Sequence, residues 1–268
     1  MNKIFLHNYH SHTSRCGHAY GEDEEYVRAA IEAGFKTLGF SDHVMLPGII
    51  QERMRGDYSL LDDYIESVQR LKKKYEGIID IKLGFECEHY GEPFSSFYKE
   101  LLEKRGFQYL ILGQHCYFDH SEQRMHWYTD KGSRLDAVEH YAKDLIAGME
   151  SGLYTYVAHP DLFMIFYRRW DENCERIAHA ICSKAAECRI PLELNMGRSR
   201  GEYHPLLWDL DAFSYPYPKF WEIARTYPID VIVGVDAHRP EDYQTSDYET
   251  FAEILRNLGM NWIQKLDI

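Results

Sequence analysis

The chain has 268 residues, 45% hydrophobic and 27% charged, a balance that excludes a disordered, collagen-like or disulfide-scaffold protein. Its 43 acidic against 30 basic residues leave a net charge of −13. That is poor surface for phosphate backbones, so no nucleic-acid partner is expected.

No run approaches 18 apolar residues, which predicts no membrane span. The stretch from Met1 to His10 shows no long apolar core and no small-residue cleavage site, which predicts no secretion signal and a cytoplasmic protein. The first apolar run, Ile4 to Tyr9, leads into a helix-like segment, Glu22 to Ala33. That segment sets Val27, Ala30 and Ile31 on one face, acids in its first turn and Gly34 just past its end. The run Thr37 to Ser41 precedes a helix predicted over Ser59 to Glu76. There Leu61, Tyr64, Ile65, Val68, Leu71 and Tyr75 keep three–four spacing, Ser59 with Asp62 reads as a capping box, and Lys72 to Lys74 suit the C-terminal dipole. Further runs are Ile78 to Phe85, Tyr109 to Gly113, Tyr154 to Ala158, Pro191 to Asn195, Val231 to Val235 and Trp262 to Leu266. Helical stretches are predicted over Arg134 to Glu150, Asn173 to Glu187, Pro218 to Thr226 and Tyr248 to Leu258.

Apolar runs of this length suit strands buried on both faces of a parallel sheet. The repeated β-then-α order with no linker predicts one α/β domain over residues 1–268, and seven or eight units favour a barrel over an open sheet. Three segments read as irregular: Met45 to Tyr58, Cys116 to Ser133 and Gly197 to Pro218. All follow strands, where α/β enzymes carry their sites.

The 14 histidines are the informative residues. His10 and His12 close the first run two apart, so both rings point the same way, and His7 points the other way. His18 lies in the following loop. Asp42 and His43 close the second run, Glu86 the third, His115 the fourth, His159 the fifth, and Asp236 and His238 the seventh. In a barrel these strand ends converge on one rim, whereas core histidines would scatter. Seven imidazoles and two carboxylates exceed what one catalytic metal takes. They fit two or three ions sharing a carboxylate, and the donor types suit Zn, Mn or Fe. The six cysteines form no Cys-x-x-Cys pair and are expected to be free thiols. Cys87 and Cys116 each follow a proposed ligand, so alternation turns them into the core.

His10-Ser11-His12, His18, His43, Glu86, His115, His159 and Asp236-Ala237-His238 resemble the metal-ligand set of the polymerase-and-histidinol-phosphatase (PHP) family, in order and strand-end context. The likeness runs from Ile4 to about Leu258. Length and the segment Asn195-Met196-Gly197-Arg198 are most like its histidinol-phosphate phosphatase branch. The resemblance implies a distorted (β/α)7 barrel with a trinuclear site at the C-terminal ends of the strands, the eighth run being an addition. It implies a first metal on His10, His12, Glu86 and Asp236, a second on Glu86, His115 and His159, and a third on His18, His43 and His238. The implied reaction is hydrolysis of L-histidinol phosphate to L-histidinol and phosphate, in histidine biosynthesis.

The chemistry expected of such a site is direct attack of a metal-bridging hydroxide on phosphorus, with no protein nucleophile. Ser11, between two ligand histidines, faces away. Arg198 is the expected phosphate binder, with Arg168 or Arg169 beside it, and Arg200 belongs to the same arginine group. Glu88, Asp161 and Tyr117 are candidates for the ammonium and imidazole of the substrate; Asp161 also reads as a helix cap. The competing readings are another phosphoesterase of the family acting on nucleotides or other small esters, an amidohydrolase-like enzyme, and a metal-binding domain without activity. The amidohydrolase reading expects a bridging lysine where this chain has His115.

Overall fold

Parallel strands can neighbour one another only through long crossovers, and the sequence supplies a helix for most of them. The computed structural model describes residues 5–199 and 214–268. In chain order these hold β1 (His7–Asn8), α1 (Asp23–Glu32), β2 (Thr37–Phe40), α2 (Leu61–Lys74), β3 (Asp80–Cys87), α3 (Phe94–Lys104), β4 (Tyr109–Leu112), β5 (Cys116–Asp119), β6 (Arg124–Trp127) and α4 (Arg134–Ser151). There follow β7 (Tyr156–Val157), α5 (Met164–Tyr167), α6 (Glu172–Cys188), β8 (Leu192–Asn195), α7 (Pro218–Ala224), β9 (Asp230–Gly234), α8 (Asp242–Thr245), α9 (Tyr248–Leu258) and β10 (Asn261–Trp262). Among the described residues no helix is long and apolar enough to cross a membrane.

Eight strands form one parallel sheet in the order β1-β2-β3-β4-β7-β8-β9-β10. The sheet curls until its first and seventh strands meet. Beyond the ends of β1 and β9, Ser11 bridges Ala237 in parallel, with His12 N donating to Ala237 O at 2.8 Å. Seven strands thus form a ring, as expected. The eighth run is an addition: Asn261 and Trp262 pair with Asp230 and Val231 of β9. The rest of that run leaves the strand, and Leu266 packs with Tyr9, Tyr109, Ile111, Tyr156 and Ile232.

That cluster fills the interior of the ring. Residues paired in register point to the same side of a sheet. Glu86 lies opposite Ile111, Ile111 opposite Tyr156, and Glu193 opposite Ile232. The interior therefore carries an apolar floor beneath carboxylates. Tyr109 fits only because Gly39 and Gly84 have no side chain; a β-carbon at either would collide with its ring.

Four local details depart from the sequence reading. The capping box at Ser59 is not formed. Asp57 instead accepts from Ser59 N at 2.9 Å across a short 3-10 turn, and α2 begins at Leu61. Helix α3 was not predicted, although Phe94, Tyr98 and Leu101 bury one face of it. The segment from Cys116 is not irregular: β5 and β6 form an antiparallel hairpin with Cys116 opposite Trp127 and Asp119 opposite Arg124. Asp161 is no helix cap, because α5 starts after Phe163 without a side-chain cap.

Candidate metal and phosphate site

The C-terminal ends of the ring strands and the loops after them bring the other eight sequence-marked residues together about one carboxylate, Glu86. Its Oε1 lies 2.9 Å from His159 Nε2 and 3.6 Å from His115 Nε2. Its Oε2 lies 3.2 Å from His43 Nδ1, 3.4 Å from His10 Nε2 and 3.5 Å from His12 Nε2. Asp236 Oδ1 approaches His12 Nε2 at 3.1 Å, His238 Nδ1 at 3.4 Å and His10 Nε2 at 3.5 Å. The rings of His12 and His238 stack at 4.1 Å between centroids, and the Nε2 atoms of His18 and His238 face each other at 3.0 Å.

Backbone features make room for this crowding. A β-carbon at Gly113 would collide with the Glu86 carboxylate, and one at Gly234 with that of Glu193. His159 and Asp236 are held at φ 30° and 52°, a left-handed region that costs energy for such residues and collects at functional sites.

The chemistry of the donor set can be tested on its unsatisfied atoms. His10 Nε2, both ring nitrogens of His12, His43 Nδ1, His159 Nδ1 and Glu86 Oε2 are buried without a hydrogen-bond partner. Buried polar atoms left unpaired are costly and rare, and an ion is one standard reason for them. Triads such as His10–His12–Glu86, His10–His159–Asp236, His12–His43–His238 and His43–Glu86–His115 have their donor atoms within 4.8 Å of one another. The cluster has the composition and convergence of a divalent-metal site.

Electrostatics suit that use. Burial pushes Glu86 and Asp236 up, but surrounding imidazoles outweigh it and hold both well below the usual carboxylate range; for Glu86 these are His115, His10 and His43, and for Asp236 His10, His12 and His238. Burial, reinforced by His12, pulls His43 well down and His238 to about 3. Burial also opposes protonation of His10 and His12. Glu193, Asp236 and Glu86 nevertheless raise His10 well above the usual histidine range, and Asp236 and Asp42 raise His12 to about 9.

Behind the imidazoles lie three more carboxylates, of which the sequence reading passed over Glu193. Glu193, fully buried, sits 2.8 Å from His10 Nδ1 and accepts from Asn195 Nδ2 at 2.7 Å. Asp42 lies 3.6 Å from His12 Nδ1 and accepts from the Thr13 hydroxyl. Glu88 Oε1 lies 3.2 Å from His115 Nδ1 and is clamped by Arg55. Burial raises Glu88, but Arg55 and His115 outweigh it and keep it below the usual range. A charged residue inside the apolar run Pro191 to Asn195 was the available signal for Glu193.

A cavity of about 600 Å³ opens over the cluster. Its described wall includes Met54, Trp127, Arg198, Tyr215 and Arg239 beside the histidines. Arg198, the expected phosphate binder, lies on the cavity wall, near enough to Tyr215 for its charge to act on that hydroxyl. The other expected substrate contacts sit elsewhere. Glu88 is fully buried beneath His115. Asp161 is turned inward, accepting from Tyr217 N at 2.5 Å and Trp221 Nε1 at 3.2 Å, and burial raises it to about 7. Tyr117 stacks on His126, with His140 tilted against it. Arg168 and Arg169 are exposed and absent from the described wall, and Arg169 is held by the Tyr167 hydroxyl at 2.8 Å and by Asp171. Arg200 lies outside the described residues. Ser11 faces away, its Oγ 2.6 Å from the Tyr243 hydroxyl. Cys87 and Cys116 are buried in the core. Met54, Trp127, Tyr215 and Arg239 were not singled out by sequence. Met54, Trp127 and Tyr215 sit one on each of the three segments read as irregular.

The model of the PHP domain matches residues 8–197, more than half of the chain. The chain belongs to the PHP family. A protein of Deinococcus radiodurans described as "Probable histidinol-phosphatase" is 30% identical over 237 residues, covering 86% of this PHP chain and 85% of that one. The histidinol-phosphatase of Bacillus subtilis is 28% identical over 274 residues, covering 91% and 97%. Among solved structures, histidinol phosphate phosphatase from Lactococcus lactis, complexed with Zn, L-histidinol and phosphate, superposes with a TM-score of 0.71. It is 16% identical and covers 98% of this PHP chain and 99% of that chain, a likeness of fold.

Proposed function

We propose that this protein is a metal-dependent phosphomonoesterase that hydrolyses L-histidinol phosphate to L-histidinol and phosphate. The observation that carries the chemistry is the convergence of unpaired, buried imidazole nitrogens and Glu86 Oε2 beneath a cavity walled by Arg198. The histidinol-phosphatase relatives that span most of the chain support the substrate. His10, His12, Glu86 and Asp236 would hold one ion, Glu86, His115 and His159 a second, and His18, His43 and His238 a third. Two to three divalent ions of Zn, Mn or Fe, when bound, supply Lewis acidity that neutralises phosphate charge and makes water a nucleophile near neutral pH.

The chain's own residues do the rest. Glu86 and Asp236 hold negative charge at the centre, and Glu193 orients His10 through Nδ1. Arg198 presents a guanidinium fork to phosphate oxygens from the wall. Asp236 and His238 lie beyond the matched PHP span yet pack on His12, which supports reading residues 1–268 as one domain. Six free cysteines suit a reducing compartment, and we place the reaction in the cytoplasm.

The test is a single turnover of L-histidinol phosphate in heavy-oxygen water by zinc-loaded protein. The expected result is one labelled oxygen in phosphate and none in L-histidinol. No turnover of this ester by metal-loaded protein sinks the reading, and a trapped phospho-enzyme sinks direct attack by water.

Arg198→Ala is expected to lower kcat/KM about 30- to 150-fold, equivalent to ~2–3 kcal/mol for a charge-assisted contact. Metal content should stay as in wild type. Arg198→Lys should recover only part, since an ammonium offers a point charge and no fork. Unchanged kinetics in the Ala variant would make Arg198 an ordinary surface arginine.

A further inference from the structure

Arg55 and Glu88 form a buried ion pair that the proposed reaction does not use. Arg55 is 3% exposed and Glu88 fully buried. Arg55 Nη2 donates to both Glu88 oxygens at 3.0 Å, and Nη1 donates to Val44 O at 3.0 Å. Nε donates to Gln51 Oε1 at 2.9 Å. The Glu88 backbone is pinned as well, its carbonyl accepting from the Tyr98 hydroxyl at 3.0 Å and the Tyr154 hydroxyl at 3.3 Å. Among the described residues the outer face of the pair reaches the site through one contact: Glu88 Oε1 lies 3.2 Å from His115 Nδ1, while Nε2 of the same ring points to Glu86.

We propose that Arg55 and Glu88 are positioning residues for His115, fixing its ring with Nδ1–H toward Glu88 and Nε2 toward the metal pocket. Removing two charges from water costs more than a simple structural contact needs, since well-packed apolar groups would stabilise as well or better. What an apolar pair cannot do is accept a hydrogen bond from Nδ1–H with a carboxylate locked in place. Such an acceptor selects one imidazole tautomer and raises the basicity of the other nitrogen. Arg55 makes the acceptor rigid, because its remaining donors are tied to Gln51 and Val44. Its neighbour Met54 lines the cavity, so one anchor serves both the wall and a ligand.

This inference rests on the metal-dependent reading but not on the identity of the ester. Metal-free protein is titrated with Zn2+ against a competing chelator, with no phosphate ester present. In the double variant Arg55→Met/Glu88→Gln both charges are gone, so neither is left buried alone. The expected result is one class of Zn2+ bound about 10- to 100-fold more weakly than in wild type, with the apo thermal midpoint close to wild type. A folded double variant that binds every Zn2+ as tightly as wild type overturns the proposal. Glu122→Gln, which removes the partner of His126 on the hairpin, should leave all Zn2+ affinities unchanged. Should the double variant not fold, NMR of the wild-type zinc form decides: His115 must show an Nδ1–H in slow exchange with water, and an Nε2–H tautomer overturns the proposal. A wild-type protein that binds no Zn2+ at all would instead sink the phosphatase reading.

Discussion

Asp236→Asn is expected to abolish turnover and to lower the metal content of the purified protein, with the fold retained. Asp236 sits at φ 52°, and Asn is among the few residues that adopt this region readily. The substitution therefore keeps shape and backbone and removes only the charge. That charge faces His10, His12 and His238 within 3.5 Å, where the proposed reading places one ion directly. The loss should exceed the roughly 10- to 100-fold that an outer partner of a metal ligand costs. His10→Ala should behave alike, since it removes a buried nitrogen and takes from Glu193 Oε1 its partner at 2.8 Å. His120→Ala and His179→Ala serve as comparisons. His120 bonds the Tyr90 carbonyl at 2.9 Å, and His179 bonds the Tyr227 hydroxyl at 2.8 Å, both away from the cluster. They should shift stability by about 0.5 kcal/mol or less and leave metal content unchanged. Elemental analysis and circular dichroism alongside turnover make the comparison. Equal losses at all four positions would mean the histidine pattern had been misread.

The histidine and carboxylate cluster was legible because parallel strands impose two strong rules. Alternation fixes which residues share a face, and closure brings strand ends to one rim. His10 with His12, and Asp236 with His238, therefore declare their direction from sequence alone. The same rules failed at the substrate wall. Glu88 does share the face of Glu86, as parity requires, but parity says nothing of depth, and Arg55 draws the carboxylate beneath His115. The Arg55–Glu88 pairing spans 33 residues and depends on how the loop before α2 folds back, which no periodicity encodes. Asp161 follows His159 at a strand end, yet its side chain turns to Tyr217 and Trp221, partners supplied more than fifty residues later. Helix α3 is a different kind of miss, since Phe94, Tyr98 and Leu101 carried a readable helical spacing. The hairpin strands β5 and β6 are four residues each, too short for alternation to stand out from a loop.

The hairpin matters for the second large effect, the choice of substrate. L-histidinol phosphate is expected to give the highest kcat/KM among small monoesters, by about tenfold or more over p-nitrophenyl phosphate, a sugar phosphate and a nucleoside monophosphate. In the proposed reading metal ions and Arg198 would contact only the phosphate, which all four esters share, so discrimination must come from the rest of the wall. Glu88 and Asp161 lie too deep to supply it. Among the described residues, the wall offers Trp127, 48% exposed on β6, with Met54 and Tyr215. An indole face can stack on an imidazole or sit against an ammonium, for roughly 0.5–1.5 kcal/mol beyond the area it covers. A sugar offers no such ring or cation. Trp127→Ala should therefore lower kcat/KM for L-histidinol phosphate about tenfold more than for the sugar phosphate, mainly through KM, because the contact is made equally in ground and transition states. Equal losses on both esters would place Trp127 in the general shape of the pocket. A nucleotide or sugar phosphate preferred by about tenfold would keep the phosphatase chemistry and remove histidinol phosphate as its substrate, because a wall built for a small aromatic cation cannot favour a neutral or anionic leaving group by that margin.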